Sequence, residues 1–157
     1  MKIPKHTSEY RQVIESRLLG KGILFEPILD SDQVAELKQR WLANFAIGVN
    51  TNDIYIDQFM WHIFSYERQA CIEGEEAISA FTIQNKDDCY VLFQHFNDAY
   101  VLKNASSLSH DDIIADIDFH SSDIFVVNKS FDWTYVYTHD ICCGPYYYHK
   151  VQKTTPG

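Results

Sequence analysis

The feature that most constrains this chain is a change in the period of its apolar residues. Before residue 84 they recur at intervals of three and four; from Cys89 onward they run at intervals of two. The first spacing is the face of an α-helix and the second is the face of a β-strand. In "SDQVAELKQRWLANF" (31–45), Val34, Leu37, Trp41 and Phe45 form one stripe, with Ser31 or Asp30 as N-cap. "TNDIYIDQFMWHIFSYE" (51–67) sets Ile56, Phe59, Met60, Ile63 and Phe64 on a wide apolar face. A shorter helix follows Gly74 in "EEAISAF", with Glu75 and Glu76 at its positive end. Tyr10 to Leu19 is expected to be helical too, stopped by Gly20-Lys21-Gly22.

After the switch, "CYVLFQHF" and "AYVLKN" read as a hairpin around Asn97-Asp98, and "SHDDIIADI" as a short helix capped by Ser109. "DIFVV" and "WTYVYTH" then form a second hairpin around "NKSFD", followed by an irregular aromatic tail held by Gly144-Pro145. The expectation is an α+β fold: N-terminal helices, then a ββαββ mostly antiparallel sheet with helices packed on one face. Hydrophobic residues make up 46% of the 157, enough for one core, so residues 1–157 are read as a single globular domain with flexible ends at 1–7 and 150–157.

The net charge of −9 is regional. Residues 51–127 hold 14 acidic and 3 basic side chains, while residues 1–50 hold 6 and 7. Such a region repels phosphate backbones, so nucleic-acid binding is not expected; solubility or a basic protein partner suits it. The N-terminus lacks the apolar core of a signal peptide and no run is long enough to span a membrane, so a cytoplasmic protein without membrane contact is expected. Cys71, Cys89, Cys142 and Cys143 show no disulfide framework and read as thiols.

Candidate chemistry gathers near the end of the chain. His139 and Cys142 offer the imidazole and thiolate that zinc prefers, but adjacent Cys142 and Cys143 diverge and do not share one tetrahedral ion easily, so structural thiols are the simpler reading. A thiolate activated by His139 lacks any nucleophile motif. Asp116, Asp118 and His120 would share one face of an extended segment, yet the glycine and further acids of a calcium loop are missing. Glu36-Leu37-Lys38 spells a nuclease-like acid-x-lysine set inside a helical stripe, where no strand supports it. His62 reads as a core-edge histidine, and Trp133 and Tyr135 as core. No cofactor motif is present.

At "WHIFSYE" (61–67), "EGEEAISAF" (73–81), "CYVLFQH" (89–95), "LKNAS" (102–106), "DIFVVNKSFDWTYVYTHD" (123–140) and "GPYYY" (144–148), the chain resembles a bacterial family catalogued as domain of unknown function 4275. The resemblance runs over roughly residues 30–148. In that family's pattern an acid, usually Glu, follows the Thr-His of the last strand; here it is Asp140, and Cys142-Cys143 departs from the usual motif. The resemblance implies a soluble, single-domain bacterial protein and supplies no activity and no catalytic residues.

Two functions are therefore expected to compete. The first is a non-enzymatic acidic module, like an immunity protein, that binds and blocks a basic protein: Glu73, Glu75, Glu76, Asp111 and Asp112 would steer the partner and Tyr146, Tyr147 and Tyr148 would anchor it. The second is a small enzyme or ligand sensor in which His139 and Asp140, with His62 or Glu67, act on a small molecule.

Overall fold

The computed structural model describes residues 5–45, 71–93, 98–113, 123–138 and 145–150. In chain order these form α1 (Lys5–Gly20), β1 (Leu24–Ile28), α2 (Ser31–Phe45), β2 (Ile72–Glu73), α3 (Glu75–Ile83), β3 (Cys89–Phe93) and β4 (Ala99–Lys103). A 3₁₀ turn (Ala105–Ser107), α4 (His110–Ile113), β5 (Ile124–Asn128), β6 (Trp133–Tyr137) and β7 (Tyr146–His149) complete them. The strands join one sheet in the order β1-β4-β3-β5-β6-β7-β2, and every neighbouring pair is antiparallel. The fold is α+β.

Local chemistry accounts for the helix ends. The Ile23 N–H reaches the Leu18 carbonyl at 3.0 Å and the Gly22 N–H reaches Leu19 at 3.1 Å, while Gly22 takes φ 71°. This is the Schellman stop, which needs a residue tolerant of the left-handed region, and Ile23 and Leu18 enter the same core beneath it. For α2 the cap is Asp30, whose Oδ1 accepts from the N–H groups of Asp32 at 2.8 Å and Gln33 at 3.3 Å. The expected stripe of Val34, Leu37, Trp41 and Phe45 is the buried face of that helix.

Three expectations need correction. Helices cover both faces of the sheet rather than one. Ile124 and Val126 of β5 enter a core with α1, α3 and α4, whereas Phe125 and Val127 enter a second core with α2. An uninterrupted apolar strand such as "IFVV" is what a sheet buried on two sides requires. The segment after Pro145 is a strand and not an irregular tail: β7 pairs with β6 from Trp133↔His149 to Val136↔Tyr146, and its other edge holds β2. Finally, the ββαββ unit is only part of the sheet, since β1 extends it beyond β4 while β7 and β2 extend it beyond β6.

Candidate protein-interaction site

The sequence-derived residues divide into those spent on the fold and those left at the surface. Tyr146 and Tyr147 are buried in opposite cores, so neither can anchor a partner without opening the sheet. Tyr147 donates its hydroxyl hydrogen to Gln84 Oε1 and its ring stacks on Trp133 at 6.2 Å. Tyr148 is half-buried and meets Phe45 edge-on at 5.9 Å. Trp133 and Tyr135 are core residues, as expected, with Tyr135 stacked on Phe81 at 4.2 Å.

Asp112 is also committed to the fold. Its Oδ2 accepts from the Ser109 N–H at 2.8 Å and lies 2.6 Å from Lys21 Nζ, so one carboxylate makes the acidic half of a capping box on α4 and ties that helix to the end of α1. Arg17 donates to the Asp111 carbonyl at 2.7 Å across the same junction. The Asp111 side chain itself remains exposed. Beside it, His110 Nδ1 lies 2.6 Å from the Tyr135 hydroxyl; burial is the largest influence on that imidazole and lowers its pKa, against the opposing pull of Asp111.

A second polar cluster was invisible from sequence. Tyr100 donates to Glu15 Oε2 at 2.6 Å, and Arg11 Nε reaches both Glu15 and Tyr100 at 3.2 Å and Asp98 at 3.7 Å. Burial raises the Asp98 pKa against the pull of Arg11, and burial lowers Lys38 to about 8 against the pull of Asp98. The Arg11–Glu15 pair is legible at four-residue spacing, but Tyr100 on β4 and Asp98 just before it come from tertiary contact alone.

Glu73, Glu75 and Glu76 make up the remaining group. Glu73 lies on β2 at the outer edge of the sheet; Glu75 and Glu76 occupy the first turn of α3, and all three are exposed. Gly74 joins the two elements at φ 68°, ψ −141°, a combination closed to residues with a Cβ, while its N–H reaches the Pro145 carbonyl at 2.9 Å. That bond fixes the edge strand and the helix start together. None of the three carboxylates has an ion-pair partner among the described residues. Two exposed apolar side chains accompany them, Ile72 on β2 and Ile83 at the far end of α3. The arrangement offers negative charge and exposed apolar side chains at the edge of the sheet.

His62, Glu67, His139, Asp140 and Cys142, together with His95, Asp116, Asp118, His120 and Cys143, lie outside the described residues. Cys71 and Cys89 carry free thiols, and burial is the main cause that pushes each up to about 12. No helix among the described residues is long and apolar enough to cross a membrane.

Fold and site together define an antiparallel α+β protein with two helical layers and an acidic sheet edge. The chain belongs to the family described as Domain of unknown function (DUF4275), whose model matches residues 30–147. No curated protein and no solved structure matches the chain.

Proposed function

We propose that this protein is a non-enzymatic, cytoplasmic interaction module that binds and blocks a basic protein partner through the β2–α3 edge, as immunity proteins do. The observation that carries the reading is the set of three exposed, unpaired carboxylates, Glu73, Glu75 and Glu76, with exposed Ile72 next to Glu73 on β2. Part of their role is local, because acids in the first turn favour the positive end of a helix by about 0.3–1 kcal/mol each. That role accounts for Glu75 and Glu76; it leaves Glu73 on its strand without a purpose in the fold.

The local charge balance supports the same reading. Of the three basic residues within 51–127, Lys86 is wholly buried and adds no positive charge to the surface. Clustered charge of one sign raises encounter rates with an oppositely charged partner, while the apolar residues supply contact area. Free thiols at Cys71 and Cys89 suit a reducing compartment.

Native mass spectrometry of the protein isolated gently at low salt tests the proposal. A stoichiometric basic polypeptide, released when salt is raised, is the expected result. A stoichiometric acidic polypeptide, or a bound small molecule in place of any polypeptide, would overturn it.

A further inference from the structure

Among the described residues, the two faces of the sheet are not equally covered. On one, α1, α3 and α4 pack over the strands; on the other, α2 lies over Leu92, Ala99, Phe125, Val127 and Val136. Beside α2, toward edge strand β1, the described residues line a trough of about 530 Å³ over the sheet. Its floor carries Glu26, Val101 and Tyr90, and its wall on α2 carries Glu36 and Leu37. A smaller hollow of about 140 Å³ shares Glu26 and Val101 and continues past Leu24 and Lys103. Leu24 and Leu29, at 63% and 59% exposure, flank the two ends of β1.

We infer that this trough receives a basic amphipathic helix from a protein partner. Three observations select that occupant. An open sheet face is normally closed by a helix, and the other half of this same face is closed that way by α2. Strand addition at the edge is disfavoured, because Pro27 stands in β1 and offers no N–H to an incoming strand. The charge at the α2 end is negative: Glu26 and Glu36 have no ion-pair partner among the described residues, whereas Arg40 lies 4.4 Å over the Phe131 ring. Asp30 adds a carboxylate, partly spent on capping α2, and Lys103 stands at the opposite end beside Leu24.

The five residues of β1 span about 16 Å, which three turns of helix cover. Apolar residues at helical spacing would meet Val101, Leu37 and Leu24, and flanking Lys or Arg would meet Glu26 and Glu36. The inference rests on the partner being basic, but it concerns the sheet edge opposite Glu73, Glu75 and Glu76, so the two surfaces are separable by mutation.

The test uses the full chain labelled with nitrogen-15 and two synthetic leucine-lysine peptides of about 18 residues, one patterned as an amphipathic helix and one of equal composition with strict alternation. The helical peptide is expected to shift the amide signals of Glu26, Tyr90 and Val101 saturably. Binding should weaken by about tenfold or more in the Glu26→Lys, Glu36→Lys double variant and stay unchanged in the Glu73→Lys, Glu75→Lys, Glu76→Lys variant. Absence of binding, shifts centred on β2 and α3, equal binding of the alternating peptide, or indifference to the double variant would each overturn the inference. Shifts centred on β2 and α3 would favour the Glu73, Glu75 and Glu76 surface instead, and the other outcomes do not bear on that surface.

Discussion

The ammonium nitrogen of Lys86 lies 2.7 Å from the carbonyl oxygen of Phe81, in a side chain with no exposed surface. It also reaches the Gln84 carbonyl at 3.0 Å, so it satisfies the carbonyl end of α3, where a helix is negative. Lys86→Met is expected to cost about 1–3 kcal/mol, because those carbonyls lose their donor. Urea unfolding measures the loss.

Trp41 and Thr134 hold α2 to the sheet. The indole N–H donates to Thr134 Oγ1 at 2.9 Å, and that hydroxyl donates to the Val126 carbonyl at 2.9 Å. Thr134→Val keeps the volume and removes the hydroxyl that accepts from the buried indole N–H, at an expected cost of about 1–3 kcal/mol. Trp41→Ala should cost about 3–5 kcal/mol, as a ring packed on Phe125 and Phe45 is lost. Paired denaturation curves distinguish the two.

The thiols of Cys71 and Cys89 are expected to resist alkylation at pH 7.5, because burial holds both near 12 and the thiolate is the reactive form. Peptide mapping after brief iodoacetamide treatment should find both unmodified in the folded protein and both modified in urea. Rapid labelling of Cys89 in the native state would contradict its place in the core.

Lys38 gives stability a distinctive pH dependence. Its folded value of about 8 lies below the ordinary 10.5, so between these limits the unfolded chain binds more protons and stability rises with pH. Above pH 9 the raised thiols act in the opposite direction, because the folded state then keeps protons that the unfolded state releases. The free energy of unfolding should therefore rise from pH 8 to 9 and fall beyond it. Lys38→Met should diminish the rise and spare the fall.

Legibility in the sequence followed the physics of burial. The α2 stripe could be read because one face of that helix is wet and the other dry, which leaves a period of 3.6. β5 hid the second helical layer, since a strand dry on both faces has no alternation to read. In β7, Tyr146 and Tyr147 are buried in opposite cores, so the tyrosine run resembled a tail. β1 carries Pro27, which argues against a strand everywhere except at an edge. At the site, the exposed acids Glu73, Glu75 and Glu76 were legible from their local positions. The binding of Asp112 to Lys21 and the burial of Lys86 were not, because both arise from contacts that form only on folding.

The most direct test of the central claim is the association rate between this protein and the basic polypeptide isolated with it, measured by stopped flow at low and high salt. Glu73→Lys, Glu75→Lys and Glu76→Lys together should slow association by about tenfold or more at low salt, with the difference shrinking as salt screens the charges. The same rate for the native and reversed proteins at low salt, with the fold of the variant intact, would contradict the account.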